Sequence, residues 1–285
     1  MKAIFLFIDG VGLRNAAADN PLNREVCPTL CRLIERHGKG IDAGLGMEGL
    51  PQSATGQGTM FTGLNCSSAM GRHCEGFPPL ALRRLIEDDN LFLQLKRRGR
   101  KVRFADAYLL DSVQALSESR FKSVTTVMAL TVPGSISLTH DLIADQALMQ
   151  DLTRETIQDR FPDIPVIEPQ RAAEQLFRIA RNYDFTLYEF FQTDVSGHSM
   201  DYQRACAVLR IYDKFLTALI KYLDVAGITL IMTADHGNIE AINERGHTRN
   251  PVPFIAYGRG GQFLLDNVKS LVDVTPAILE AYDRF

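Results

Sequence analysis

Gly227-Ile228-Thr229-Leu230-Ile231-Met232-Thr233-Ala234-Asp235-His236-Gly237-Asn238 joins an apolar run to two adjacent metal-binding side chains. The run reads as a buried strand, with Asp235 and His236 at its carboxyl end. Neighbours in an extended strand point to opposite faces, so both grip one ion only if the chain turns there. Gly237 is expected to supply the conformational freedom for that turn. Three other places complete the set: Asp9 after Phe5-Leu6-Phe7-Ile8, Asp194 with His198, and His247. Carboxylates and imidazoles drawn from four separated segments point to a metal centre with two ions.

Outward from this stretch, strand-like and helix-like runs alternate. Helices are predicted over 28–37, closed by Gly38, over 53–63, and over 90–98, feeding a strand over 101–105. Apolar residues at three- and four-residue intervals predict further helices over 145–160, 169–183 and 203–223. Strands are expected over 185–191, 228–232 and 253–257, with a last helix over 274–282. The stretch 106–140 has no clear pattern, and 123–128 fits a strand or a helix. Such alternation predicts an α/β fold, a largely parallel sheet sandwiched by helices. Ligands of such sheets bind beyond the carboxyl ends of the strands. Asp9, Asp194 and Asp235-His236 each follow a strand-like run, as a site there requires.

The bulk composition narrows the partners. With 46% hydrophobic and 23% charged residues, the 285-residue chain reads as an ordinary globular protein. A net charge of −3 gives no global reason to expect nucleic acid or an anionic membrane as partner. No apolar run approaches the roughly 18 residues of a membrane span. The apolar N-terminus runs straight into Asp9-Gly10-Val11-Gly12, which favours a first buried strand over a signal peptide. The five cysteines lack zinc-finger spacing; Cys27 and Cys31 flank one helical turn without a second pair. Free thiols in a reducing cytoplasm are expected. No linker divides the chain, so one domain is expected over residues 1–285.

Ile8-Asp9-Gly10-Val11-Gly12, Gln52-Ser53-Ala54-Thr55-Gly56-Gln57, Thr193-Asp194-Val195-Ser196-Gly197-His198, Thr233-Ala234-Asp235-His236-Gly237-Asn238 and Gly246-His247-Thr248 occur in this order. Together they resemble the alkaline phosphatase superfamily, nearest to its branch of cofactor-independent phosphoglycerate mutase and phosphopentomutase. The resemblance implies one ion held by Asp194, His198 and His247. It implies a second held by Asp9, Asp235 and His236, with Ser53 as fourth ligand and nucleophile. Mixed oxygen and nitrogen donors of this kind suit Zn or Mn. The implied chemistry is attack by Ser53 on phosphorus, a phosphoserine, and transfer to water or to a second hydroxyl. Thr55, two residues on, is the competing hydroxyl. Segment 51–55 lacks the Gly-x-Ser-x-Gly elbow of serine esterases, and 54–57 lacks the sulfatase motif. Asn238 and Glu240 are candidates to orient the ligands. Arg72, Arg120 and Lys122 read first as solvated residues and only second as candidate phosphate contacts, and His37, His73 and His140 read as structural or surface groups.

Two departures from the mutases bear on the outcome. Gln57 stands where they carry histidine, and it cannot act as a cation or general acid at neutral pH. Roughly 140 residues separate Ser53 from Asp194, leaving little room for the mutases' cap domain. Without a lid, water reaches the intermediate. Hydrolysis of a small phosphorylated metabolite is therefore the first expectation. A phosphomutase completed by a neighbouring subunit, a hydrolase of another ester, and a non-catalytic metal-binding scaffold are the alternatives.

Overall fold

A computed structural model describes residues 1–285. Eight strands are β1 (Ala3–Ile8), β2 (Gly38–Ile41), β3 (Val102–Phe104), β4 (Ala107–Tyr108), β5 (Ser137–Leu138), β6 (Phe185–Phe190), β7 (Thr229–Thr233) and β8 (Val252–Tyr257). Six form one sheet in the order β2-β8-β7-β1-β6-β3, and β4 and β5 pair apart from it. β1 runs parallel to β6 and β7, and β3 parallel to β6. β8 runs antiparallel to both its neighbours, so the expected parallel sheet carries one reversed strand.

The apolar run of β1 is continuous because both of its faces are covered. Phe5 and Phe7 meet Phe61 of the helix Ser53–Thr62. On the opposite face of the sheet, Tyr188 and Phe190 of β6 pack on Phe215 and Tyr212 of the helix Tyr202–Ala226. Alternate residues of each strand thus supply alternate layers. The long helix buries Ala205, Leu209, Tyr212, Leu216, Leu219 and Leu223, three and four residues apart. Asp201 caps its start through the N–H groups of Gln203 and Arg204, and Gly227 ends it in the left-handed conformation. One apolar cluster of 74 buried residues runs from Ala3 to Tyr282, and a second has only five.

The predicted helix over 145–160 is not formed. Asp145, Leu152 and Arg154 have φ of 57°, 65° and 68°, which no right-handed helix allows. Asp151 competes for the backbone there, accepting the N–H groups of Arg154 and Thr156 at 2.8 Å each. Leu148 instead pairs with the chain beside β4, its N–H bonded to Ala105. The apolar spacing serves the five-residue cluster of Leu142, Ala147, Met149, Ile157 and Ile164. The ambiguous 123–128 stretch is helical: Ser123 caps the helix Val124–Leu130. β2 was not expected, since its glycines hide a strand. All five cysteines are free, with Cys27 Sγ and Cys31 Sγ 4.0 Å apart. No helix is long and apolar enough to cross a membrane.

Candidate metal centre

The carboxyl ends of β1, β6 and β7, adjacent in the sheet, deliver Asp9, Asp194 and Asp235-His236 to one place. Asp194 and His198 stand one turn apart on the short helix Gln192–Ser199 that follows β6. Their side chains approach to 3.3 Å between Asp194 Oδ2 and His198 Nε2. The loop after β7 brings His247 Nε2 to 3.2 Å from His198 Nε2 and 3.7 Å from Asp194 Oδ1. Asp194, His198 and His247 form one group able to hold a cation, and Asp9, Asp194 and His236 a second. His236 Nε2 lies 3.4 Å from Asp9 Oδ1 and 3.5 Å from Asp235 Oδ2. The two groups touch, for the rings of His236 and His247 stack at 3.6 Å.

Ser53 opens its helix with Oγ 2.9 Å from His236 Nε2. Thr55 points elsewhere: its hydroxyl bonds the Gln52 carbonyl and accepts the Cys74 N–H. Of the two competing hydroxyls, only Ser53 therefore reaches the centre. Gln57 donates to Asp235 Oδ2 at 3.0 Å and Asp9 Oδ2 at 3.4 Å, which places the residue that departs from the mutases against both carboxyls. Arg72, Arg120 and Lys122 line neither of the two cavities that meet at Ser53. Of the three remaining histidines, His37 packs on Tyr257, His73 bonds Ser67, and His140 is exposed.

The glycine after His236 has a different role from the one expected. Gly237 does not adopt a positive φ. A Cβ there would sit 2.2 Å from Thr248 Oγ1 and 2.3 Å from Glu240 Oε1, so close approach is what excludes a side chain. Glu240 is fully buried and ties the surrounding loops together. It accepts the N–H groups of Gly12 and Asn238 at 2.8 Å each, the Thr248 hydroxyl at 2.5 Å and the Asn250 amide at 3.0 Å. Asn238 donates to Asp194 Oδ1 at 2.7 Å. Gly10 is the position that needs the left-handed region, with φ of 68° and Asp194 Oδ1 2.6 Å from where its Cβ would be. Thr193, which sequence reading passed over, links the two strands by donating to the Asp9 carbonyl at 2.5 Å.

The residues fit a bound cation on electrostatic grounds. Burial pushes the Asp9 carboxyl well above the ordinary range, and the charges of Asp235 and Asp194 add to it. Burial also raises Asp235, against the hydrogen bonds it accepts. Burial lowers His236 to about 3, helped by His247. No lysine or arginine is among the donors. Asp9 Oδ1, which faces His236 Nε2 at 3.4 Å, is buried without a hydrogen-bond partner, a cost that proteins seldom leave uncompensated. His247 Nδ1 lies 2.9 Å from the Pro51 carbonyl, which only accepts. Nδ1 therefore carries the hydrogen, and Nε2 turns a lone pair to the centre.

Glu189 and Asp106 are further buried acids that sequence reading missed. A glutamate inside the apolar run Phe185-Thr186-Leu187-Tyr188-Glu189-Phe190 was the available signal. Both line a cavity of about 360 Å³ that also takes in Asp9, Ser53, Gln57 and Asp194.

Known proteins place this arrangement. The 2,3-bisphosphoglycerate-independent phosphoglycerate mutase of Dinoroseobacter shibae is 34% identical over 145 residues, 45% of this chain and 28% of the relative. Its Mycoplasma genitalium counterpart is 30% identical over 122 residues, 41% of this chain and 24% of the relative. These matches thus span only about a quarter of the relatives' length. Among solved structures, alkaline phosphatase from the Antarctic bacterium TAB5 aligns with a TM-score of 0.56 at 11% identity, covering 99% of this chain and 98% of that one. A Pyrococcus horikoshii protein aligns at 0.58 and 15% identity, covering 100% and 97%. At these identities the likeness is one of fold. The family model described as Metalloenzyme superfamily matches residues 1–283, so the chain belongs to that superfamily and has its alkaline phosphatase-like fold.

Proposed function

We propose that this protein is a metal-dependent hydrolase of small phosphate monoesters, with Ser53 as nucleophile. The observation that carries the reading is the position of Ser53 Oγ, 2.9 Å from His236 Nε2 within a cavity that also holds Asp9 and Asp194. Asp194, His198 and His247 would hold one divalent ion; Asp9, Asp235, His236 and Ser53 would hold the other. Three carboxylates, three imidazoles and a hydroxyl suit Zn or Mn. When bound, such ions lower the pKa of a serine hydroxyl and offset the charge of the phosphoryl oxygens.

The chain's own residues then do the following. Ser53 Oγ, its proton given up to solvent, bonds to phosphorus as the bond to the leaving oxygen breaks, giving a phosphoserine and an alkoxide that takes a proton from water. The N–H groups of Ser53 and Ala54 bond no carbonyl and stand at the helix start, where an anion is favoured. Gln57, donating to Asp9 and Asp235, fixes both carboxyls without adding charge. Water then attacks the phosphoserine and frees Ser53. Hydrolysis is favoured over mutase transfer because the segment between β3 and β6 shares the main apolar core and has only five buried residues of its own. That is too few for an independent cap that would exclude water. We read residues 1–285 accordingly as one domain.

The relatives' names keep a phosphomutase as the second reading. Phosphate release from p-nitrophenyl phosphate and from natural monoesters, with product isomers followed in parallel, separates the two. Ser53→Ala in the Mn- or Zn-loaded protein is expected to lower turnover by about 10³-fold or more with metal content nearly intact. A variant that keeps most of its rate removes Ser53 as nucleophile.

A further inference from the structure

The chemistry above uses only Asp9, Ser53, Gln57 and Asp194 of the residues that line the cavity over Ser53. Asp106 and Glu189 line it too, each only 8% exposed. One oxygen of each is engaged: Glu189 Oε2 accepts from Thr125 Oγ1 at 2.6 Å, and Asp106 Oδ2 accepts the Glu189 N–H at 2.9 Å. Glu189 Oε1 and Asp106 Oδ1 have no hydrogen-bond partner in the protein. The rings of Phe77, Phe104, Tyr108 and Phe191 complete the walls, and no lysine, arginine or histidine lines the space.

We propose that the part of the cavity lined by Asp106 and Glu189 is the leaving-group subsite, selecting alcohols that donate hydrogen bonds and carry no negative charge, such as polyols or amino alcohols. The inference rests on the phosphomonoester reading and deepens it. The free oxygens of the two carboxyls face the cavity, and a ligand that displaces water there has to supply donors in its place, because an acceptor left unpaired is costly. Aromatic walls suit the C–H faces of a polyol and the face-on approach of an ammonium group. Above about pH 7, where Glu189 ionises, a leaving group with its own carboxylate, as in a phosphoglycerate, would meet a like charge with no lysine, arginine or histidine in the cavity lining to offset it. Such like-charge contact is a means of rejecting a ligand.

The test uses the metal-loaded Ser53→Ala full-length protein at about pH 8.5, above the range in which Glu189 holds a proton, and calorimetric titration with glycerol 1-phosphate, phosphoethanolamine and 3-phosphoglycerate. At least one of the first two should bind about tenfold or more tightly than the third. Equal or tighter binding of 3-phosphoglycerate overturns the proposal. Should the variant lose metal, competition of the same three against p-nitrophenyl phosphate in the wild type gives the ranking. The combined variant Glu189→Gln, Asp106→Asn is expected to shrink the preference over 3-phosphoglycerate severalfold, and an unchanged preference also overturns the proposal. Glu189→Gln alone separates the two donor types, weakening an ammonium ligand more than a neutral polyol. Phosphate release by the wild type is read separately. Its absence for every ester, with the binding order intact, would sink the hydrolase reading and leave the subsite standing.

Discussion

The metal-binding end of the sheet and the segment between β3 and β6 are held in order by different means. At the sheet end, three adjacent parallel strands fix the starting points, and glycines let the loops close within contact distance of one another. Position there follows from regular hydrogen bonding: Asp9 and Asp235-His236 follow strand ends, Asp194 and His198 stand on the helix after β6, Ser53 opens a helix, and His247 comes from the loop before β8. Residues 105–167 have only short elements, a two-strand patch and several left-handed residues. Their order rests on side chains. Arg154 is buried and donates to Asp145 Oδ1 at 2.8 Å, and Asp145 also accepts from Arg171 at 3.0 Å and Gln175 at 2.7 Å. The first region is built for fixed chemistry. The second supplies Asp106, Tyr108, Thr125 and Gln150 to the wall of the cavity over Ser53.

If that contrast holds, crowding the first region should strike chemistry hardest. Gly237→Ala would place a methyl group 2.2 Å from Thr248 Oγ1 and 2.3 Å from Glu240 Oε1. Glu240 cannot yield without releasing the backbone of Gly12 and Asn238, and Asn238 holds Asp194. Turnover of p-nitrophenyl phosphate is expected to fall on the order of 10²-fold or more, with loss of bound metal, since displacements near 1 Å cost that much. Elemental analysis and initial rates check it. A variant with normal metal content and rate would show that the loops close around His236 less tightly than the contact distances require.

A break in the second region should instead show as lost stability. Arg154→Met removes a buried charge and leaves Asp145 with Arg171 and Gln175. The expected loss is about 2–4 kcal/mol in denaturant unfolding. The rate of the folded variant on p-nitrophenyl phosphate should stay within about threefold, since no atom of Arg154 lines the cavity at Ser53. A large loss of rate without loss of stability would erase the distinction between the regions.

The same difference explains what could be read from the chain. β1, β6 and β7 announced themselves because strands buried on both faces are continuous apolar runs, and the acids that end them stand out against that background. The helix Tyr202–Ala226 was legible from its period. The candidate ligands were found by motif and order, and the structure brings all seven together. The 145–160 stretch misled because apolar spacing does not reveal left-handed turns, and because Asp151 and Arg154 act through side-chain bonds that follow no period. Gly237 was noticed for the wrong reason: the crowding by Thr248 and Glu240 exists only once distant loops meet. Asp106 and Glu189 were visible as acids but not as a pair, since nothing in the sequence sets β6 beside the chain that follows β3.

Glu189 is where the two regions meet, and it offers the smallest but most diagnostic effect. Burial pushes its carboxyl from 4.5 up to about 7, against the hydrogen bond it accepts from Thr125. The folded state therefore holds a proton that the unfolded chain releases between these values. The stability this gives is fully present below about pH 4.5 and is lost as pH rises through about 7. His236, lowered by burial to about 3, acts in the opposite direction, losing stability as pH falls below its unfolded value near 6.5. The two effects overlap, so a single profile of the metal-free protein does not separate them. Glu189→Gln leaves the His236 contribution in place, and the difference between the two profiles isolates the glutamate. That difference is expected to change by at most about 3 kcal/mol between pH 4.5 and 7 in denaturant unfolding, with the variant gaining relative to wild type as pH rises. A flat difference would mean that water reaches the carboxyl freely, and the cavity wall would then be as loosely set as its short elements suggest.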